Sequence, residues 1–157
     1  MRISPRGNKK FVQSNIVEFY FGGTELNVGI SISNFGIKVK HISAVSDDFI
    51  GDTAMTYIRK FGVDTSCIVK SKRPLGVYFL EVGAVIRPSM ISYNRSHSAF
   101  SEIEPTKVNW ENALEDGEWM HWTGITPALS QGAFNVLKDG LKLARQKGMA
   151  VSADPTY

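Results

Sequence analysis

The residues of this sequence that could do chemistry do not form a standard catalytic or metal-binding motif. His41, His97 and His121 are far apart along the chain, a spacing that favours packed or surface histidines over a metal site. Asp47 and Asp48 could be a carboxylate pair, but adjacent side chains usually point in different directions, which favours a loop or a helix cap. The sequence contains neither a G-x-x-x-x-G-K-[ST] phosphate loop nor a G-x-G-x-x-G turn. Standard motifs therefore do not identify a catalytic or metal site in this sequence.

Strand and helix patterns alternate along the chain. Strands are predicted over 15–21, 39–46, 67–69, 75–82, 90–95, 119–123 and 149–153. Helices are predicted over 51–61, 105–114 and 130–147, the last with Ser130 as its N-cap and Gly148 beyond its end. This alternation indicates βαβ units with a parallel sheet. Because no helix separates 75–82 from 90–95, those two strands predict a small antiparallel piece set apart from the main sheet.

The segment 24–35 fits two interpretations. Leu26, Val28, Ile30 and Ile32 alternate as in a strand, and the frequent β-branched residues favour that assignment. Leu26, Ile30 and the end 33–35 also fit a helix with Gly36 beyond it. Composition alone leaves both open.

Three turns are candidate ligand-binding points. Ligands of open α/β sheets bind beyond the carboxyl ends of the parallel strands, which indicates 123–127 and 154–157. The pair Gly22-Gly23 is the third, because glycine lets the backbone approach a ligand closely. The alternative for each turn is that its glycine or proline residues only form a loop between two elements.

Four segments, taken in order, resemble the ribokinase-like (PfkB) carbohydrate kinases. They are GGTELN at 22–27 with FG at 35–36, VSDDFIG at 45–51 with FGVDT at 61–65, GVYFLE at 76–81 with YNRSHSA at 93–99, and TGITPAL at 123–129 with DPTY at 154–157. Within the family, the chain is most similar to 2-keto-3-deoxygluconate kinases (2-dehydro-3-deoxygluconokinases). The resemblance implies an α/β fold with a ribokinase-like parallel sheet, flanking helices and a small β lid. It implies a single partial domain over 1–157, with lid strands at roughly 15–22 and 75–96, and a helix at 24–35.

The resemblance also implies which residues contact the substrate. Carried over by position, they are Gly23, Asn27, Tyr78, Tyr93, Arg95 and Ile125. The planar fork of an arginine such as Arg95 binds a carboxylate in bidentate fashion, and Tyr and Asn supply hydrogen bonds to hydroxyls. This set suits a keto-deoxy sugar acid. Alternatively, Tyr78 and Tyr93 are ordinary aromatic residues of strands and Arg95 is a surface charge.

The implied reaction is ATP-dependent phosphorylation of 2-keto-3-deoxygluconate, with ATP and Mg²⁺ as the cofactors of a full-length family member. Relatives continue with a Gly-Ala-Gly-Asp segment that supplies the catalytic base and backbone N–H groups for the transferring phosphate. We therefore expect this chain to carry the sugar-binding part, with no catalytic residue, no metal ligand and no ATP site of its own, and to be inactive alone. Residues 1–5 resemble the tail of the family's first strand, so the fold is expected to be incomplete at both ends.

Composition limits the partners. With 43% hydrophobic and 21% charged residues the chain is typical of globular proteins, and no apolar run approaches the roughly 20 residues that span a bilayer. Cys67 is the only cysteine and no secretory signal is visible, which favours a reducing, cytoplasmic location. The net charge is only +3 and most basic residues are dispersed, so neither nucleic acid nor membrane is expected as a partner.

Two alternatives to this function remain open. One is another PfkB sugar kinase, such as a fructokinase or a ribokinase. The other is a non-catalytic sugar-binding module that uses the lid strands as a homodimer surface. In all cases the expected ligand is a small sugar or sugar acid.

Overall fold

The structure is a computed structural model that describes residues 1–155. Its strands are β1 (Arg2–Pro5), β2 (Val17–Tyr20), β3 (Ser43–Ser46), β4 (Ile68–Ser71), β5 (Val77–Glu81), β6 (Met90–Asn94), β7 (Trp119–Thr123) and β8 (Ala150–Asp154). Its α-helices are α1 (Thr24–Asn34), α2 (Phe49–Arg59), α3 (Trp110–Ala113), α4 (Ile125–Leu129) and α5 (Gln131–Gln146), with 3₁₀ turns at Phe11–Gln13 and Pro105–Lys107. The predicted α/β class is confirmed. None of the helices within these residues is long and apolar enough to cross a lipid bilayer.

The strands are arranged in three sheets. One is four-stranded, in the order β2-β1-β5-β6, and the others are the pairs β3-β4 and β7-β8. Both pairs are parallel, and β5 and β6 are antiparallel, as the sequence predicts. The parallel strands, however, form two separate pairs within residues 1–155 where one continuous sheet was expected.

The four-stranded sheet contains both ranges that the resemblance assigns to a lid. It also contains β1, which pairs antiparallel with β2 and parallel with β5. Residues 1–5 therefore lie between two lid strands, and not beside β3 or β7. By connecting β2 to β5, β1 makes the lid strands a single surface.

Helix α1 decides between the two interpretations of 24–35. Leu26 is only 4% exposed and packs in a core cluster with Ile58 and Val63, and Ile30, one turn further along, packs against the same cluster. A helix places both side chains on one face, whereas a strand would have to bury Val28 and Ile32 with them. Tertiary burial thus outweighs the β-propensity of the segment.

The predicted helix over 105–114 is wrong. Residues 105–107 form a 3₁₀ turn, and a separate short helix starts at Trp110 with Asn109 as its cap, whose side chain accepts a hydrogen bond from the Asn112 N–H. Between them, Val108 is extended and only 9% exposed, packed in the core with Ala133 and Val136. Burying Val108 in this way is incompatible with one continuous helix.

Helix α5 follows its prediction closely. The Ser130 hydroxyl accepts a hydrogen bond from the Ala133 N–H at 3.0 Å, which makes Ser130 the N-cap. At the other end Gly148 has a φ of 70°, the left-handed conformation in which glycine ends helices. The buried stripe consists of Ala133, Val136, Leu137, Gly140 and Ala144.

The start of α2 is packed directly on the end of β3. One carboxylate oxygen of Asp48 accepts hydrogen bonds from the Ile50 and Gly51 N–H groups, each at 2.9 Å, and from the Ser46 hydroxyl at 2.7 Å. The cap interpretation of Asp47-Asp48 is confirmed for Asp48. A Cβ added at Gly51 would lie 1.8 Å from the Ser46 carbonyl oxygen, so only glycine fits there.

Replacing Gly51 with alanine is therefore expected to destabilise the fold by about 1–3 kcal/mol, because the start of α2 must move away from the backbone of Ser46. Urea unfolding monitored by circular dichroism measures this change. Thr53→Ala, an exposed position in the same helix turn, is the matched control and should change stability by less than about 0.5 kcal/mol. Equal stability of the Gly51→Ala and wild-type proteins would contradict the close approach of Gly51 to the Ser46 carbonyl.

A second prediction concerns His41, whose backbone N–H donates to the Asp64 carbonyl at 2.9 Å. Burial lowers the pKa of its imidazole from 6.5 to about 4, although the charge of the Glu25 carboxylate opposes this shift. Between pH 6.5 and 4 the unfolded chain then binds a proton that the folded chain does not. The free energy of unfolding should fall as the pH decreases through that window.

His41→Gln, which cannot titrate, is expected to show a shallower loss of stability between pH 7 and 5 than the wild type. Denaturant unfolding at a series of pH values checks this. An identical slope in both proteins would show that His41 is not responsible.

Candidate functional site

The structure brings the six residues implied by the resemblance together as two groups of three. Tyr78, Tyr93 and Arg95 form a lid group in the four-stranded sheet. A helix group surrounds the start of α1 and the end of β7, and consists of Gly23, Asn27 and Ile125.

The lid group is a stack of two phenol rings and a guanidinium. Tyr78 and Tyr93 are directly opposite each other on β5 and β6, with ring centroids 5.8 Å apart. Arg95 places its Cζ 4.4 Å from the centroid of the Tyr93 ring, a cation–π contact. Gly76 lies close to the base of the Arg95 side chain, because a Cβ added at Gly76 would be 3.3 Å from the Arg95 Cβ. Since Tyr93 is 59% exposed, this face is accessible to a ligand.

Two further residues, Arg2 and Tyr20, extend the lid group and were missed from the sequence. Arg2 is opposite Tyr20 on one side and Tyr78 on the other. Because opposite residues of paired strands share a face, Tyr20, Arg2, Tyr78 and Tyr93 form one row across all four strands. The Arg2 Cζ lies 4.2 Å from the Tyr20 ring centroid. Only the pairing of β1 with β2 and β5, which local patterns do not reveal, could have identified this row.

In the helix group, the turn before α1 is open. Gly23 is the N-cap of α1 and has extended backbone, and a Cβ added there would meet nothing within 4 Å. The Asn27 N–H donates to the Gly23 carbonyl at 2.8 Å. The Asn27 side-chain oxygen would be 3.3 Å from a Cβ added at Gly22, so the amide lies over the turn. Ligand hydroxyls can reach both the turn and the amide.

The ends of β7 and β8 lie side by side next to this turn. Thr123 pairs with Asp154, and the Gly124 N–H donates to the Asp154 carbonyl at 2.8 Å. Ile125, the first residue of α4, follows immediately. The second candidate turn, 154–157, includes residues 156 and 157, which lie outside the described residues.

The carboxylate of Glu25 lies at the junction of α1 with β7 and α4. One of its oxygens accepts hydrogen bonds from the hydroxyls of Thr123 at 2.8 Å and Thr126 at 2.7 Å, and the other accepts from Thr24 at 2.9 Å. Burial alone would raise the pKa of Glu25. Hydrogen bonds from Thr126, from its own backbone N–H, and from Thr123 and Thr24 outweigh that effect and hold the pKa below its ordinary value.

The histidines take separate positions, as their spacing predicts. His97 interacts with Glu102 and His121 with the Ser152 hydroxyl, at 2.5 Å and 2.8 Å. Within residues 1–155, no group of three His, Cys, Asp or Glu side chains is arranged to hold a metal ion.

Comparison of the sequence with known proteins identifies its family. Residues 4–157 match the pfkB family carbohydrate kinases. A 2-dehydro-3-deoxygalactonokinase from Haloferax volcanii is 27% identical over 157 residues, covering 100% of this chain and 49% of the relative. A 5-dehydro-2-deoxygluconokinase from Clostridium perfringens is 29% identical over 152 residues, covering 96% of this chain and 44% of the relative.

Solved structures show the same fold. The crystal structure of 2-dehydro-3-deoxygluconokinase from Thermotoga maritima matches with a TM-score of 0.96 and 38% identity, over 99% of this chain and 48% of that one. A PfkB family carbohydrate kinase from Listeria grayi also matches with a TM-score of 0.96, at 28% identity, over 100% of this chain and 49% of that one. The chain spans about half the length of the relatives it matches. Since the family match extends over almost all of its residues, the chain belongs to the pfkB family of carbohydrate kinases.

Proposed function

We propose that the protein carrying this chain is an ATP-dependent kinase of 2-keto-3-deoxy sugar acids, and that 2-keto-3-deoxygluconate is its preferred acceptor. The observation that carries the proposal is the stack of Arg95 on Tyr93 beside Tyr78, on an accessible face. The similarity to kinases whose names specify dehydro-deoxy sugar acids supports the same substrate class.

The chemistry of the stack suits a carboxylate. Contact of the Arg95 guanidinium with the Tyr93 ring occupies one flat side of the fork and leaves its N–H edges free to donate. Two parallel N–H groups match the two oxygens of a carboxylate, which a neutral sugar lacks. The phenol hydroxyls of Tyr78 and Tyr93 can hydrogen bond to hydroxyls of the same ligand. Arg2 in the same row adds positive charge to this face.

We assign the helix group to the rest of the sugar. Asn27 offers both a donor and an acceptor over the turn at Gly22 and Gly23, where backbone approaches without side-chain obstruction. Ile125 lines the site from the strand end. In this proposal the described residues bind and orient the sugar acid. No role in binding ATP or Mg²⁺ is assigned to them.

Arg95→Ala in the natural protein that contains this chain is expected to raise the KM for 2-keto-3-deoxygluconate on the order of 10–100-fold, the loss of one charge-assisted pair. The kcat/KM for a neutral hexose should change by less than about threefold, since no carboxylate is involved. Arg95→Lys keeps the charge without the planar fork and should give an intermediate KM. A coupled assay of ADP formation measures all three.

The matched control is Arg145→Ala, an exposed arginine in the last turn of α5, which should behave as the wild type. A wild-type preference for fructose or ribose over the acid would show that the substrate is wrong and favour the fructokinase or ribokinase alternative. Equal losses on acid and neutral sugars in Arg95→Ala would show that Arg95 does not recognise the carboxylate.

A further inference from the structure

We infer that Glu25 is a positioning residue of the sugar site, which holds the helix group in register by joining the start of α1 to the end of β7 and the start of α4. This inference rests on the proposed function, because it concerns the same site. Glu25 itself is not expected to touch the sugar.

The hydrogen bonds of Glu25 connect parts of the chain that are distant in sequence. Its partners Thr123 and Thr126 are separated from it by 98 and 101 residues. Thr123 ends β7 and is completely buried, and Thr126 is the second residue of α4. The bonds therefore fix the relative position of three elements, and not merely the conformation of one helix.

In the sequence, the residues assigned to the sugar in the proposed function lie close to the members of this hydrogen-bond network. Gly23 and Asn27 are each two residues away from Glu25, and Ile125 lies between Thr123 and Thr126. A shift of α1 relative to β7 would change the distance from Asn27 to Ile125 directly. Such displacements, even of about 1 Å, can reduce catalytic rates strongly.

A carboxylate is suited to this junction for three physical reasons. It has two oxygens and can accept from several hydroxyls at once. It lies in the first turn of α1, where the helix dipole favours a negative charge. Its partial burial is tolerated because threonine hydroxyls donate hydrogen bonds to the carboxylate. No positive side chain has this role, since none of the ion pairs among residues 1–155 includes Glu25.

The same contacts argue against a direct role in binding the sugar. Each oxygen of Glu25 already accepts from a threonine hydroxyl, and the Thr24 and Thr123 hydroxyls are themselves 3.0 Å apart. A second carboxylate brought against Glu25 would also be repelled by its charge. In the proposed function, the carboxylate of a sugar acid is therefore assigned to Arg95 and not to the surroundings of Glu25.

The experiment compares Glu25→Ala, Glu25→Gln and Glu111→Ala in the natural protein that contains this chain. In Glu25→Ala the bonds from the hydroxyls of Thr24, Thr123 and Thr126 to the carboxylate are lost. The KM for the accepted sugar should therefore rise on the order of 10–100-fold while the KM for ATP stays within about twofold. A fold defect would lower the active fraction, and hence kcat, without this selectivity.

Glu25→Gln should remain within about threefold of the wild type, because its amide oxygen can accept from Thr123 and Thr126 and its amide nitrogen can donate to Thr24. Glu111→Ala is the matched control, since Glu111 is also the second residue of a helix but has a side chain that is 74% exposed and forms an ion pair with Lys147. It should leave both KM values unchanged.

Thr126→Val removes one partner hydroxyl with little change of shape. Thr126→Val should raise the sugar KM, as Glu25→Ala does. In the double variant the two effects should not add, as expected for residues of one network. Should Glu25→Ala fail to fold, as judged by thermal unfolding, the decision rests on Thr126→Val. A folded Glu25→Ala or Thr126→Val protein with a wild-type sugar KM overturns the inference.

The wild type separates this inference from the proposed function. If it phosphorylates a neutral sugar in preference to the acid, the proposed substrate fails, and the Glu25 series is then measured on the sugar that it does accept. If it prefers the acid but Glu25→Ala leaves the sugar KM unchanged, the inference alone fails.

Discussion

The carboxylate of Glu25 imposes the constraint on which the helix group of the site depends. A charge removed from water at the start of α1 must be hydrogen bonded, and its donors are the hydroxyls of Thr24, Thr123 and Thr126. Satisfying it requires α1 to meet β7 at its carboxyl end, where ligands of parallel strands bind. The placement of Gly23 and Asn27 beside Ile125 is thus a consequence of where a buried charge can be satisfied.

The lid group depends on a different constraint, the register of four strands. With β1 between β2 and β5, every residue opposite Arg2 or Tyr78 is forced to the same face. A slip of one residue would turn the guanidinium and the phenol rings to the other side of the sheet. The backbone pairing therefore determines which groups this face presents as much as the choice of side chains does.

These constraints explain which parts of the structure the sequence could predict. Strands β2 to β8, α5 with its Ser130 cap and the Asp48 cap depend on neighbouring residues, and local patterns predicted them. The helix at 24–35 depends on burying Leu26 against Val63, and the break at Val108 on burying that side chain, which local propensity does not register. The placement of the Glu25 side chain was missed because its partners lie 98 and 101 residues away.

The two groups also differ in how firmly they are held. In the helix group, partly buried hydrogen bonds join hydroxyls to a charged oxygen, a type of bond that contributes about 1.5–3 kcal/mol each. In the lid group, Arg95 is held by contact with the exposed ring of Tyr93, an interaction worth roughly 0.5–1 kcal/mol. In the proposed function, the helix group is accordingly the rigid frame that fixes where the sugar lies, whereas the lid residues can adjust around the acid. Under that proposal, orientation and recognition of the substrate are carried by physically separate parts of the fold.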